Sequence, residues 1–288
     1  MSEIRRVAVI GAGTMGHGIA YVALASGYMV ALVDGDAAAL ERGGERIRGA
    51  FGKAIERGKA TPEHRDAALA RLARSGDVTD AVREADLVVE AVPEQVALKQ
   101  RLFGVLDRAA PPGAILASNT SSLSIDELAA AVRDPARVVG LHFFNPVPVM
   151  RLVEIVRGPR TSDETVAKSR QFAESLGKTP IVVRDAPGFA TSRLGVVLGL
   201  EAIRMLEQGV ASAEDIDRAM ELGYNHPMGP LRLTDLVGLD VRLAIADHLH
   251  QSLGDDTYRP PALLRRMVAD GKLGRKSGEG FYRWEEER

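Results

Sequence analysis

The sequence predicts an α/β protein in which a doubly wound, mostly parallel sheet comes first and an all-helical domain follows it. Two observations support this fold class. From the start to about residue 185, short apolar runs rich in Val and Ile alternate with longer segments of helical spacing, as in strand–helix–strand units. After the Pro-Gly pair at 187–188, every later segment has helical spacing, and such a pair is typical of a boundary. We therefore expect a sheet domain over residues 1–185 and a helical domain over 186–288.

The strands of the first domain are expected to be buried on both faces. Each is a short and nearly continuous apolar run, which suits a parallel sheet covered by helices on either side. Seven such runs are expected, in chain order Val7 to Ile10, Val30 to Val33, Leu87 to Glu90, Ile115 to Ala117, Val138 to Leu141, Leu152 to Val156 and Ile181 to Val183.

The second domain is expected to begin with a long buried helix. This helix would run from Phe189 to Gln208, and its segment from Leu194 to Leu200 is apolar on nearly all faces, which predicts deep burial. Ser212 followed by Asp215 is typical of a capped helix start. Further helices are expected over 227–236, 240–253 and 262–270, with a glycine-rich turn over 274–282.

Composition and charge exclude several classes of function. The 288 residues carry a net charge of -2, which argues against nucleic acid or an anionic membrane as the main partner. Cysteine is absent, so a disulfide framework, a thiolate metal site and a catalytic thiol are excluded, and we expect no metal. No stretch reaches 18 uninterrupted apolar residues, and the beginning of the chain lacks the apolar segment of a signal peptide. We therefore expect a cytoplasmic protein.

A glycine-rich turn lies between the first predicted strand and the helix after it. Gly11 permits a tight turn, Gly13 lets the backbone approach a pyrophosphate, and Gly16 lets helix and strand pack closely. Thr14 and Met15 complete the turn, where the start of the helix presents amide N–H groups to phosphates. The alternative is a glycine-rich turn that binds no nucleotide.

An acidic residue at the end of the second strand strengthens the nucleotide interpretation. Asp34 lies 23 positions after Gly11, where a carboxylate would hydrogen-bond the ribose hydroxyls of the adenosine. Asp36 follows, and there is no Arg before Arg42. A 2'-phosphate would therefore meet negative charge, so the sequence favours NAD over NADP.

A histidine and a glutamate near the end of the first domain form a candidate acid/base pair. His142 follows a predicted strand, and Glu154 lies inside the apolar run from Leu152 to Val156. A buried carboxylate is costly unless it is paired, and a histidine from the neighbouring strand is a suitable partner for proton transfer. The alternative is a core histidine with a solvent-facing glutamate on an edge strand. Spacing alone leaves both open.

Motifs along the whole chain resemble those of the L-3-hydroxyacyl-CoA dehydrogenases, including bacterial 3-hydroxybutyryl-CoA dehydrogenases. HFFNPVPVM and DLVGLD distinguish this family among Rossmann-type proteins. The similar segments are GAGTMGHGIA at 11–20, VVEAVPE at 88–94, ASNTSSLSI at 117–125, GLHFFNPVPVMRLVEIV at 140–156, DAPGF at 185–189, HPMGPLRLTDLVGLD at 226–240 and GRKSGEGFY at 274–282.

The resemblance implies a Rossmann-type NAD domain, an acyl-CoA substrate and a homodimer formed through the helical domain. It implies that His142 takes the proton of the 3-hydroxyl group while hydride leaves C3 for the nicotinamide, and that Glu154 orients and stabilises the ring. The reaction would interconvert L-3-hydroxyacyl-CoA, in particular short-chain 3-hydroxybutyryl-CoA, and 3-oxoacyl-CoA in fatty-acid β-oxidation or butanoate metabolism.

The resemblance also assigns residues around the reacting atoms. Ser121 matches a serine that contacts the substrate oxygen and the nicotinamide, whereas Ser124 with Glu127 is typical of a helix cap. Four further positions match family cofactor contacts: Glu94, Lys99, Asn145 and Lys276. For the three charged ones, the alternative is a solvated surface charge.

One position departs from the family pattern. Ser192 stands where the family usually has an asparagine that helps to hold the substrate near the histidine. A hydroxyl is shorter than an amide and cannot reproduce its donor and acceptor geometry. We expect Ser192 to take part in the site and activity to persist, with altered binding.

A CoA site is implied near the start of the chain, where the family has a helical hairpin insertion, here near 36–75. The basic residues expected to meet CoA are Lys53, Arg57 and Lys59. Interleaved glutamates leave open the alternative of a solvated helix with internal ion pairs. Four glycines between 43 and 52 weaken the helix, so we expect a hairpin that orders on CoA.

Three rival functions share features with this sequence. The 3-hydroxyisobutyrate and 6-phosphogluconate dehydrogenases share the glycine turn and a helical second domain but use a lysine on the helix after the boundary, and residues 189–210 contain no lysine. A gulonate-type sugar-acid dehydrogenase would keep His142 and Glu154. A non-catalytic NAD-binding structural protein would not need them.

Overall fold

The computed structural model describes residues 4–284, and its contacts divide the chain into two units, Met1–Ala186 and Pro187–Arg288. The first unit contains one eight-stranded sheet. In chain order its strands are β1 (Arg6–Ile10), β2 (Met29–Val33), β3 (Leu72–Ser75), β4 (Leu87–Glu90), β5 (Ile115–Ser118), β6 (Val138–Phe143), β7 (Leu152–Arg157) and β8 (Thr179–Arg184).

The sheet has the order β3-β2-β1-β4-β5-β6-β7-β8. The first six strands run parallel, and β7 pairs antiparallel to β6 and parallel to β8. All residues of β4, β5 and β6 are buried, because their Val, Ile and Leu side chains are covered by helices on both faces. The sheet therefore places the carboxyl ends of β1, β2, β4, β5 and β6 along one edge.

Seven helices accompany the sheet. They are α1 (Thr14–Ala25), α2 (Ala37–Glu56), α3 (Pro62–Leu69), α4 (Val78–Val82), α5 (Val96–Ala109), α6 (Ile125–Ala129) and α7 (Asp163–Ser175). Residues of α1, α2 and α7 share one apolar core with alternate residues of the strands, while α4, α5 and α6 pack together and contact other strand residues. This is the doubly wound arrangement that the sequence predicts.

All seven predicted strands are present; β4 has the predicted bounds, and the ends of the other six extend the predictions by one or two residues. The prediction missed β3. Its four residues, Leu72 to Ser75, are half-buried or exposed and include Arg74, because β3 is an edge strand next to β2. A short, half-polar run of this kind has no continuous apolar signal.

The second unit is helical, and no strand longer than an isolated bridge occurs in its described part, 187–284. Its helices are α8 (Thr191–Glu207), α9 (Ala213–Gly223), α10 (Pro230–Val237), α11 (Leu239–Leu253) and α12 (Ala262–Ala269). Ser212 caps α9 as expected, since its hydroxyl accepts a hydrogen bond from the amide of Asp215. Among residues 4–284, no helix is long and apolar enough to cross a membrane.

One expectation about α8 was wrong, and the helix starts two residues after the expected position near Phe189. It begins at Thr191, because Phe189 has a φ of 49°, which a right-handed helix does not contain. Leu194, expected to be buried, is 72% exposed. The residues of α8 that are buried, such as Val196, Leu200 and Ile203, follow a single stripe of helical spacing, so the first turn keeps an apolar side chain outside that stripe.

Candidate active site

His142 and Glu154 are direct partners in the antiparallel pair of β6 and β7. Nδ1 of His142 lies 2.7 Å from Oε2 of Glu154. Glu154 is 0% and His142 7% exposed, and β8 covers the other side of β7. The alternative of a solvent-facing glutamate on an edge strand is therefore wrong.

This pairing has a chemical consequence for the ring. A buried carboxylate that accepts a hydrogen bond from Nδ1–H fixes the tautomer, so Nε2 is the nitrogen that can accept a proton. The carboxylate also favours the imidazolium that would result. The geometry is that of an acid/base histidine oriented by an acidic residue.

The glycine-rich turn has the shape that a dinucleotide needs. Gly11 has a φ of 102°, and a Cβ there would lie 2.7 Å from the carbonyl oxygen of Ala91. A Cβ on Gly16 would lie 1.7 Å from the carbonyl oxygen of Gly11, so neither position accepts a larger residue. Gly13 precedes the first residue of α1, Thr14, without a side-chain cap and has open space around it. The amides at the start of α1 can therefore reach a phosphate.

Asp34 follows β2 and faces this turn. Its carboxylate accepts hydrogen bonds from the amides of Ala12 at 2.8 Å and Asp36 at 2.9 Å. The carboxylate of Asp36 caps α2 and lies 3.7 Å from Arg42. Two carboxylates thus lie just after β2, and the nearby Arg42 already has an acidic partner. The turn and Asp34 together fit NAD.

A second buried carboxylate, Glu90 at the end of β4, is central to a network that sequence reasoning missed. Its oxygens accept hydrogen bonds from Lys99 Nζ at 2.6 Å, Ser118 Oγ at 2.6 Å and the amide of Val92 at 2.7 Å. Glu90 is 0% and Lys99 1% exposed. For Lys99 the alternative of a solvated surface charge is therefore wrong.

Lys99 also contacts Glu94, whose carboxylate orders the loop after β5. Nζ of Lys99 lies 3.2 Å from Glu94 Oε2, and Oε1 of Glu94 accepts hydrogen bonds from the hydroxyl of Thr120 and the amide of Ser121. Burial opposes ionisation of Glu94, but the charge of Lys99 and these hydrogen bonds outweigh it, so the pKa of Glu94 lies below its ordinary value. Glu94 therefore remains an anion that holds the Ser121 loop.

The loop after β5 is also tied to the strand of the histidine. Oδ1 of Asn119 accepts a hydrogen bond from the amide of Phe143, next to His142. Further along, Ser124 caps α6 through the amide of Glu127, as expected. The structure thus gives Ser124 a capping role that is separate from Ser121.

The turn between β6 and β7 carries Asn145 and packs against α1 through Val147. Asn145 is exposed, and its bond to Pro146 is cis. Val147 is buried against α1, where a Cβ on Gly18 would lie 2.9 Å from it. Lys178 donates hydrogen bonds to the carbonyl oxygens of Val147 at 2.5 Å and Met150 at 2.8 Å. These contacts position the loop relative to the helix of the glycine turn.

The implied CoA cations lie at the far end of α2. Lys53, Arg57 and Lys59 are exposed, and none of them forms an ion pair with another residue in the described range. Nearer the start of α2, Arg48 lies 3.2 Å from Glu41. Not every glycine of this helix has open space around it, because a Cβ on Gly43 would lie 2.9 Å from the Cβ of Ala12.

In the second unit, Lys276 pairs with an acidic residue at the start of α11. Its Nζ lies 2.5 and 2.6 Å from the two oxygens of Asp240. The glycine-rich turn around it is organised by the buried Asp235, which accepts hydrogen bonds from the amides of Phe281 and Tyr282. Ser192 is in the first turn of α8.

Comparison with known proteins agrees with these features. The family model described as 3-hydroxyacyl-CoA dehydrogenase, NAD binding domain, matches residues 6–186, and the model for the C-terminal domain of that family matches residues 188–284. The chain belongs to the 3-hydroxyacyl-CoA dehydrogenase family.

Members of this family resemble the chain over nearly its whole length. A probable 3-hydroxybutyryl-CoA dehydrogenase of Deinococcus radiodurans is 50% identical over 96% of this chain and 99% of its own. Another, of Bacillus subtilis, is 47% identical over 99% of each chain. The crystal structure of (S)-3-hydroxybutyryl-CoA dehydrogenase from Ralstonia eutropha superposes with a TM-score of 0.95 at 43% identity, covering 99% of this chain and 100% of the other.

The 3-hydroxyacyl-CoA dehydrogenase motifs identify only some of the residues that form the candidate site of the first unit. The structure brings His142 together with Glu154, and Ser121 with Glu94 and Lys99 through hydrogen bonds and an ion pair. Sequence reasoning missed Glu90 and Lys178. Glu90 could have been identified from the sequence, because it is an acidic residue at the end of an apolar run and Lys99 follows it nine positions later. No local signal marks Lys178.

Proposed function

We propose that this protein interconverts L-3-hydroxyacyl-CoA and 3-oxoacyl-CoA with NAD as the redox cofactor, and that short chains, 3-hydroxybutyryl-CoA and acetoacetyl-CoA, are its substrates. One observation supports this most strongly. His142, 2.7 Å from the buried Glu154, is a histidine prepared to exchange a proton in a chain whose family consists of 3-hydroxyacyl-CoA dehydrogenases.

The proton of the reaction moves through His142. In the oxidation, Nε2 of His142 takes the proton of the 3-hydroxyl group, and C3 becomes a carbonyl carbon. Bound NAD supplies the acceptor for the hydride that leaves C3. In the reduction, the imidazolium of His142 returns its proton to the 3-oxygen. Glu154 keeps the ring oriented and stabilises its charged form.

Two hydroxyl groups are assigned to the substrate. Ser121, held by Glu94, would donate a hydrogen bond to the 3-oxygen, and this donor stabilises negative charge that develops there. Ser192 would contact the acyl group from α8 in place of the usual asparagine.

The amides of the turn from Gly11 to Gly16 would bind the pyrophosphate of NAD, and Asp34 would accept hydrogen bonds from the ribose hydroxyls. Near the nicotinamide ribose we assign four residues: Glu94, Lys99, Asn145 and Lys276. Since Lys99 is buried against Glu90 and Glu94, we assign its effect to the orientation of Glu94.

Phosphate groups of CoA are assigned to the exposed cations at the end of α2. Lys53, Arg57 and Lys59 are exposed, with no ion-pair partner among residues 4–284, and such cations attract phosphates. Replacing all three by Gln should raise KM for acetoacetyl-CoA with little change in KM for NADH.

The test of the function is turnover of acetoacetyl-CoA with NADH, followed by nicotinamide absorbance. The wild type should oxidise NADH, and His142→Ala should lose activity by about 10²- to 10⁴-fold while it still binds NADH. An unchanged rate in His142→Ala would refute the mechanism. Turnover of L-gulonate with NAD, without any turnover of acetoacetyl-CoA, would instead favour a sugar-acid dehydrogenase.

We also infer a homodimer formed through the second unit. Several large apolar side chains of this unit are exposed, among them Leu194 at 72%, Leu222 at 84% and Tyr224 at 76%, and an interface between two chains would cover such side chains. Light scattering on the eluted protein should give twice the chain mass. The inferred compartment is the cytoplasm, which cell fractionation would test.

A further inference from the structure

Arg242 on α11 is a buried cation whose Nε atom has no acceptor among residues 4–284. It is 5% exposed, and its Nε is sealed from solvent. Within residues 4–284, no carboxylate or carbonyl group pairs with the guanidinium. Burial lowers the pKa of Arg242 to about 10, so the group stays charged at neutral pH. A buried charge in this state costs several kcal/mol.

The same chain pairs a comparable arginine in the first unit. Arg137 is 7% exposed, and its guanidinium donates hydrogen bonds to Asp107 Oδ1 at 2.7 Å and to the carbonyl oxygens of Pro111 at 2.9 Å and Ala114 at 3.3 Å. Arg242 lacks every equivalent of these acceptors. The Nε atom of both arginines has no acceptor, so the two residues differ at their Nη atoms, and those of Arg242 can take an acceptor from another molecule.

The guanidinium lies beside two glycines of α8, Gly195 and Gly199. A Cβ on Gly199 would lie 3.4 Å from Cζ of Arg242, and a Cβ on Gly195 would lie 3.6 Å from Nη1. Larger residues at these positions would crowd the arginine. The end of the guanidinium nearer to Gly195 therefore points toward the beginning of α8.

Ser192 is one turn before Gly195 on the same face of α8. Three residues of helix correspond to about 4.5 Å along its axis, so the tip of Arg242 lies within the length of a short acyl chain from Ser192. Ser192, to which we assign a substrate contact, thus lies on the same face of α8 as the two glycines beside Arg242.

We propose that Arg242 binds a carboxylate at the far end of the acyl group, so that 3-hydroxyacyl-CoA thioesters whose chain ends in a carboxylate are preferred substrates. This rests on the proposed function. A guanidinium pairs with a carboxylate through two parallel hydrogen bonds. Ser192 is smaller than the usual asparagine, and Gly195 has no side chain. A chain that ends in a methyl group leaves the cation unpaired.

The test compares two thioesters of equal chain length, 3-oxoadipyl-CoA and 3-oxohexanoyl-CoA, by NADH oxidation. The wild type should have a kcat/KM about 10- to 100-fold higher for the carboxylate substrate. Arg242→Met should lose this preference, and Arg242→Lys should keep part of it, since it retains the charge but not the planar fork.

Thermal unfolding separates this role from a structural one. Arg242→Met, which removes an unpaired buried charge, should have a Tm equal to or above that of the wild type. Arg137→Met, which breaks a paired arginine, is the matched control and should lower Tm. A fall in Tm for Arg242→Met as large as that for Arg137→Met would overturn the proposal.

The kinetic outcomes separate a failure of the role assigned to Arg242 from a failure of the proposed function. Turnover of both thioesters with equal kcat/KM, or the same ratio in wild type and Arg242→Met, would overturn the role of Arg242 and leave the proposed function standing. Turnover of no 3-oxoacyl-CoA, acetoacetyl-CoA included, would refute the proposed function itself. Dissociation of a dimer in Arg242→Met would assign the missing acceptor to a second copy and overturn the substrate assignment.

Discussion

Glu154 and Glu90 are two carboxylates of one sheet that are buried equally and paired differently. Each is 0% exposed. Glu154 is 2.7 Å from the imidazole of His142, whereas Glu90 is 2.6 Å from the ammonium of Lys99 and accepts two further hydrogen bonds, from Ser118 and Val92. An imidazole changes its charge near neutral pH, and an ammonium keeps its charge there. The partner therefore decides whether a buried carboxylate supports proton transfer or holds the site in place.

The largest expected effect on activity comes from changing the charge of the first pair. Glu154→Gln keeps the size of the side chain and removes its charge, so the imidazolium of His142 loses its stabilisation. We expect kcat for acetoacetyl-CoA to fall by about 10²- to 10⁴-fold, with KM for NADH nearly unchanged. A fall of less than threefold would mean that the carboxylate only fills space.

The equivalent change in the second pair should act on stability. Glu90→Gln leaves the ammonium of Lys99 buried with one carboxylate fewer, and breaking a buried pair costs about 3–5 kcal/mol. Urea unfolding should report this loss. Glu84→Gln, which removes the exposed partner of Arg6, is the control and should change the unfolding free energy by less than about 1 kcal/mol. Equal stability of Glu90→Gln and wild type would contradict the structural role that we assign to Glu90.

A third carboxylate, Asp34, sharpens the distinction because its partners are amides only. It accepts hydrogen bonds from Ala12 and Asp36 and is half-buried, with no cation bound to it in the described part of the chain. In function, we expect the carboxylate of Asp34 to accept hydrogen bonds from the ribose hydroxyls of NAD. Asp34→Ala should raise KM for NADH by about 10- to 100-fold and leave kcat within a few-fold. An unchanged KM would argue against the ribose contact.

The smallest expected effect is a pH dependence from Glu94. The pKa of Glu94 is below its ordinary value in the folded protein, so its ionised form adds stability above the pKa of the unfolded chain. This contribution is lost as pH falls through the folded pKa. Glu94→Gln should therefore reduce the difference in Tm between pH 7 and the acid range below about 4. A Tm difference equal to that of the wild type would contradict this.

The sequence predicted the fold where local patterns coincide with burial. Central strands such as Leu87 to Glu90 are continuous apolar runs and were found. The edge strand β3 was missed, because an edge needs no such run. Leu194 was expected to be buried. That expectation failed because an apolar helix face has the same sequence pattern whether other helices of the chain cover it or leave it exposed.

The candidate site was predictable only in part for a related reason. Motifs identified His142, Glu154 and the glycine turn. The importance of Glu90 and Arg242 follows instead from their surroundings. Glu90 pairs with a lysine nine residues away, and Arg242 has no acceptor in the described chain. Pairing between distant residues is a property of the folded chain, and no single segment encodes it.

The double variant His142→Gln/Glu154→Gln tests most directly whether the two residues act as one acid/base unit. Groups that act as a unit give non-additive losses. With kcat for acetoacetyl-CoA measured beside both single variants, the account predicts that the double variant loses no more activity than His142→Gln alone. Losses of the two single variants that multiply in the double variant would contradict it, because Glu154 would then contribute to catalysis independently of His142.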